Sequence, residues 1–198
     1  MGEKAPFQEL TLQDRFEVAV YRIGVGLAIA ATVTGAVLLH RPDSASPGIV
    51  SGTLGLFVGG NLAAALFIHL YARPVRIFIR TLGIVSGALL LAALSAASQQ
   101  ERHVWEVLLS TGLGTLTLAS FGLILAFVGV KEAFCFRLNE GYLAGIVIPL
   151  IPLLHATGAP LSAIRAALTV TAGLLLLFAV RKLFQPMHYD VGDKTKYT

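Results

Sequence analysis

Six runs of apolar residues dominate the chain, at 18–40, 48–71, 75–97, 104–130, 141–156 and 161–181, with connections too short to hold a soluble domain. About 20 apolar residues cross a hydrocarbon core of about 30 Å as a helix, at about 1.5 Å per residue. Lipid offers no partner to backbone amides and carbonyls, so each crossing must close its own hydrogen bonds. Runs of this length do so as helices rather than as barrel strands. Composition agrees, since 56% of residues are hydrophobic and only 13% charged, too little polar surface to cover a water-soluble fold. The expected fold is an all-α, polytopic membrane helical bundle of six transmembrane helices. The fifth run is the shortest and carries Pro149 and Pro152, which predict a kink or a tilt.

An even number of crossings places both termini on one side, together with the 72–74 and 131–140 connections. Of the fifteen Lys and Arg residues, twelve then fall on that side and three, Arg41, Arg102 and Arg165, on the other. Short loops make this asymmetry a guide to orientation, and it puts both termini in the cytoplasm or stroma. The organisation expected is a segment over 1–17, a six-helix domain over 18–181 and a basic tail over 182–198. No cleavable leader is expected, because residues 1–17 mix acids and bases without a short apolar core. Thr11 and Asp14 fit a capping box at a helix start. Phe7, Leu10, Leu12, Phe16 and Val20 alternate with charges, which predicts a short amphipathic N-terminal helix running into the first span.

Helices in lipid associate where small residues let backbones approach. Three stripes are expected to serve as seams: Gly24, Ala28, Ala31 and Gly35; Gly48, Gly52, Gly55, Gly59 and Ala63; and Gly112, Thr115, Ala119, Gly122, Ala126 and Gly129.

Polar groups at membrane depth are candidates for function. Asn61, near the middle of the second span, could line a solute path with Pro149 and Pro152, or bond to a neighbouring helix. His69 and His155 are candidate axial ligands of a pigment. His40, His103 and His155 share one face but lack metal-ligand spacing, and no metal site is expected. Arg22, Arg76 and Arg80 are expected to snorkel, with lipid phosphates or Glu17 as their partners. The one cysteine, Cys135, excludes an internal disulfide. As a nucleophile it would need a nearby base. The densest polar constellation is the 131–140 connection, with Lys131, Glu132, Cys135, Arg137 and Glu140 among Phe134 and Phe136. It is expected to be a fixed loop that docks a partner. No catalytic residue is assigned.

This segment, Gly129-Val-Lys131-Glu132-Ala-Phe134-Cys135-Phe136 running through Glu140-Gly141 to Ile148-Pro149, resembles the Gly-x-Lys-Glu-x-x-Cys-aromatic motif of a family. That family is an uncharacterised integral membrane protein group, a domain of unknown function, of cyanobacteria and chloroplast-bearing eukaryotes. The likeness spans roughly 15 to 185. Where the family often has a small residue and a lysine, this chain has Arg137-Leu138-Asn139. The resemblance implies an oxygenic-phototroph membrane, thylakoid or plasma membrane, and a job connected with photosynthetic complexes. With no catalytic groups and no soluble domain in the sequence, the expectation is a non-enzymatic accessory protein that associates with, or assists assembly of, a photosystem complex, with chlorophyll, carotenoid or lipid as candidate ligands. Membrane lipids and photosystem subunits, or another membrane complex, are then the expected partners, and nucleic acid is not. A small-molecule or ion transporter or channel through Asn61, Pro149 and Pro152 is the alternative.

Overall fold

A computed structural model describes residues 9–192 of the chain. Phe7, Lys4, Lys194 and Lys196, part of the N-terminal and tail expectations, lie outside the described residues. Every described element is helical: α1 (Leu12–His40), α2 (Pro47–Phe67), α3 (Arg73–Gln99), α4 (Val104–Ser110), α5 (Gly112–Phe136), α6 (Asn139–Ala156), α7 (Leu161–Leu183) and α8 (His188–Val191), with a 3-10 turn at Pro42–Ser44. Five of these, α1, α2, α3, α5 and α7, are long and apolar enough to cross a membrane. Helix α6 has 18 residues, enough for about 27 Å of rise, and it packs against both α5 and α7.

The capping box at the start of α1 is formed. The Thr11 backbone amide donates to Asp14 Oδ2 at 2.9 Å and the Asp14 amide donates to the Thr11 hydroxyl at 3.2 Å. Helix α1 then runs unbroken into the apolar stretch, with Leu12 and Phe16 exposed and Val18 and Tyr21 buried.

Two boundaries differ from the hydropathy reading. The second apolar run continues to 71, yet the helix stops at Phe67. Ile68 and Leu70 are buried while Tyr71 is exposed, the two-residue period of extended chain. Pro74 lies in the first turn of α3, where its missing amide N–H leaves no intrahelical bond unmade. The fourth run breaks in two at Thr111, which is extended and caps α5 by accepting from the Gly114 amide at 3.0 Å. Gly114 sits directly against the Val107 and Leu108 carbonyls, so α4 folds back onto the start of α5. Val107 and Leu108 bury themselves there with Ala93 and Ala97 of α3.

The small-residue seams are partly as expected. On α1, Gly24 faces Gly60 of α2: a Cβ at Gly24 would come within 2.7 Å of the Gly60 carbonyl, and one at Gly60 within 2.5 Å of the Gly24 carbonyl. Gly129 of α5 likewise faces Gly141 of α6 at 3.0 Å, and Gly122 faces Ile148. The α2 stripe is displaced by one residue. Gly48, Gly52, Gly55 and Gly59 have open space where a Cβ would go, and Gly60, Asn61, Ala64 and Ala65 form the buried face instead. With glycine on several faces of α2, small-residue spacing alone could not select the packed one.

We expect Gly60→Leu to destabilise the bundle by about 1–3 kcal/mol through overpacking, whereas the adjacent Gly59→Leu stays within about 0.5 kcal/mol of wild type. Thermal unfolding of the two variants in detergent measures the difference; equal shifts would contradict the α1–α2 contact.

Candidate functional site

Helix α5 does not end at residue 130 but continues through Phe136, so the expected 131–140 loop is the last turns of α5, a two-residue turn and the start of α6. Residues 131–136 contain neither Gly nor Pro, and nothing in them stops a helix. The stop comes at Arg137, whose backbone is left-handed at φ 56°. The polarity that suggests a loop in the sequence belongs to side chains directed inwards from a helix end.

At their centre is Glu132, fully buried. Its Oε1 accepts from the Tyr21 hydroxyl at 2.7 Å and from Lys131 Nζ at 2.8 Å. Its Oε2 accepts from Lys182 Nζ, which also donates to Asp190 Oδ1. Asp190 completes its bonding through Oδ2, which accepts from Arg22 Nε at 2.7 Å. Arg22 donates in addition to the Pro186 carbonyl at 3.1 Å. Three cations and two carboxylates from α1, α5, α7 and α8 thus form one chain of charge-assisted hydrogen bonds, with one positive charge in excess. Aromatic faces border it: Lys131 lies 5.3 Å from the Tyr21 ring centroid and Lys182 4.6 Å from that of Phe136. Phe136 meets Tyr189 edge-on. A second pair lies at the same end, Arg181 Nη1 donating to both oxygens of Glu140 at 3.0 and 2.8 Å.

Sequence reading selected Lys131, Glu132, Phe136 and Glu140 and placed them at one end, as found. It missed Tyr21, Lys182 and Asp190, and for Arg22 it offered lipid phosphates or Glu17, whereas Arg22 bonds to Asp190 and to the Pro186 carbonyl. The tail expected over 182–198 is not wholly a tail, since Lys182, Asp190 and Val191 are buried. Phe134, Cys135 and Arg137 are exposed at the rim. The Cys135 thiol is free, with no side-chain hydrogen bond among the described residues.

His69 lies in the extended connection between α2 and α3, its Nε2 3.3 Å from Glu17 Oε2. Burial holds its imidazole below the usual 6.5, against the opposing pull of Glu17. His155 is at the opposite end, its Nδ1 3.1 Å from the Thr115 hydroxyl; the two candidate pigment ligands therefore do not meet. His40 pairs with Thr169 at 2.9 Å, and His103 stacks on Trp105.

That opposite half of the bundle holds a cavity of ≈ 420 Å³ between α1, α2, α4, α5, α6 and α7. Pro152 and His155 are on its wall; Asn61 and Pro149 are not. Asn61 is buried and donates from Nδ2 to the Phe57 carbonyl at 2.8 Å, while its Oδ1 has no described partner. Successive turns of α7 separate the two regions, from Thr171 in the cavity wall through buried Leu175 and Phe178 to Lys182 in the ion network.

Glu132→Ala should cost about 3–5 kcal/mol, because it leaves buried cations without a counter-charge, and Tyr21→Phe about 1 kcal/mol for one lost hydrogen bond. Thermal unfolding in detergent measures both; an unchanged Glu132→Ala would contradict the network. His69 gives a pH signature. Its folded form resists protonation, so its stabilising contribution is complete above the unfolded value near 6.5 and is lost as pH falls through the folded one. Unfolding curves below pH 6.5 should show this loss, and His69→Gln should remove it.

Comparison with known proteins adds the following. An uncharacterized protein of Haemophilus influenzae is 37% identical over 82 residues, 40% of this chain and 48% of that protein, so the match spans about half of the relative's length. No solved structure matches. A family model described as an uncharacterized integral membrane protein, DUF2301, matches residues 63–198, a range that holds the Lys131–Glu140 segment, Lys182 and Asp190 but begins inside α2 rather than near residue 15. The chain belongs to this family of integral membrane proteins.

Proposed function

We propose that the chain is a non-enzymatic accessory protein that crosses the membrane six times and docks a larger membrane complex at its charged end. The meeting of the α5 and α7 C-terminal ends at Glu132 and Lys182 supports six crossings, because α6 and the start of α7 must then cover the full depth between them. The excess of basic residues at this end supports a cytoplasmic or stromal location for both termini, in a plasma or thylakoid membrane. Exposed Leu12 and Phe16 beside charged residues support an amphipathic entry to α1.

The observation that carries the docking reading is the rim of the ion network. Phe134, Leu183 and Phe184 are 79%, 77% and 84% exposed, at the level of the buried charges, whereas the network's own cations are already engaged with carboxylates. Large apolar side chains around a satisfied polar centre suit contact with another protein better than catalysis. The resemblance read from the Lys131–Glu140 segment, which implies a phototroph membrane, makes a photosystem or its assembly intermediate the first partner to test. The similar protein of Haemophilus influenzae widens the search to other membrane complexes.

Affinity purification in mild detergent should recover photosystem subunits with the chain from a phototroph's membranes, and Phe134→Ala/Phe184→Ala should lose them while eluting as a folded protein. An absorption spectrum of the same fraction reports chlorophyll or carotenoid. Recovery of the chain alone, or of the same partners by the variant, contradicts the docking reading.

One observation favours transport as a second reading. The unpartnered Asn61 Oδ1 lies one turn from Phe57, which shares the cavity wall with Pro152. On this reading Asn61→Leu abolishes solute or ion flux in proteoliposomes, and undiminished flux in that variant eliminates it.

A further inference from the structure

Four threonines line the cavity in the half of the bundle away from the ion network: Thr32, Thr53, Thr115 and Thr171. A threonine inside a membrane helix normally satisfies its hydroxyl by donating to the carbonyl one turn back. Thr32 does so to Ala28 at 2.8 Å, Thr53 to Ile49 at 2.8 Å and Thr115 to Thr111 at 3.1 Å. Thr171 is the exception. It is fully buried, and its Oγ1 has no partner among the described residues. A buried hydroxyl without a hydrogen bond is rare enough in folded proteins to call for an explanation.

The rest of the wall restricts what that partner can be. Among the described residues no Asp, Glu, Lys or Arg lines the cavity, so a phosphate or carboxylate head would enter without a counter-charge, at a high desolvation cost. A volume of ≈ 420 Å³ lies at the lower end of the range that takes a drug-sized ligand, which suits one hydrocarbon chain. Leu109 and Leu161, both on the wall, are about half exposed, so the cavity reaches the outer surface of the bundle. Water would find few polar partners there.

We propose that this cavity binds a neutral single-chain lipid whose hydroxyl or carbonyl oxygen bonds to the Thr171 hydroxyl. The chain of such a lipid takes the apolar wall, and the small uncharged head satisfies the one threonine hydroxyl of that wall that has no partner among the described residues. The site is distinct from the docking rim and does not rest on that reading.

The test uses the full-length chain in mild detergent and 1-monooleoylglycerol as probe, with oleate and dioleoylphosphatidylglycerol as anionic competitors, read by native mass spectrometry. Two variants locate the site. Gly35 is on the wall and has open space where a Cβ would go, so Gly35→Phe fills the cavity without meeting backbone. Thr171→Val removes the hydroxyl and keeps the shape. One monooleoylglycerol should bind per chain in preference to both anionic lipids, with binding reduced at least tenfold in Gly35→Phe and several-fold in Thr171→Val. Both variants should elute as wild type. Absence of the one-to-one adduct, preference for an anionic lipid, or wild-type binding by Thr171→Val would each overturn the assignment. That last criterion holds even if Gly35→Phe fails to fold.

Discussion

A lysine ammonium held between two buried carboxylates organises one end of this bundle. Lys182 closes the last turn of α7, Glu132 stands near the end of α5, and Asp190 returns from the short α8. Tyr21 and Arg22 join them from α1. Removing such charges from water costs several kcal/mol each, and the loss is recovered only when every charge has a partner in good geometry. That condition makes the network a positional constraint on four helices rather than a general source of stability. If any one of these helix ends moved, another buried charge would lose its partner.

The rest of the bundle is held by different physics. Between helices in lipid there is little hydrophobic gain, so contact depends on close approach, supplied by Gly24 against Gly60 and Gly129 against Gly141. In the other half, α4 breaks away from α5 at Thr111 and α6 carries its two prolines. Residues from both helices, Leu108 and Pro152 among them, line the cavity. A packed middle layer, including Val25, Ala28, Leu175 and Phe178, separates the charged end from the cavity. The proposed docking rim and the proposed lipid site are therefore open to independent substitution.

Much of this architecture was legible in the sequence because hydropathy reports directly on what lipid tolerates. The six apolar runs all contain helix, and the capping box at Thr11 and Asp14 forms as read. Ends were less legible. The apolar run reads as helix to residue 71 but the helix stops at Phe67, since hydropathy cannot distinguish a buried non-helical segment from another helical turn. Lys131 and Glu132 read as loop residues because charge at the end of an apolar run normally signals water. Here the charges face one another inside the bundle. Lys182 could not be separated from a lysine that merely reaches towards the headgroups, because its partners are 50 and 8 residues away in the chain. Thr171 carried no signal at all, its significance resting on a hydrogen bond that it does not make.

The most direct test of the ion network as the constraint on these helix ends is a double-mutant cycle between Glu132 and Lys182. Glu132→Gln, Lys182→Met and the double variant would be compared in reversible unfolding, all in one detergent. A network in which each charge depends on the other predicts strong non-additivity, with a coupling energy of about 1–3 kcal/mol and the double variant more stable than the sum of the single losses implies. Strictly additive losses would mean that the two groups do not interact, and would contradict the arrangement of α5, α7 and α8 on which this account depends.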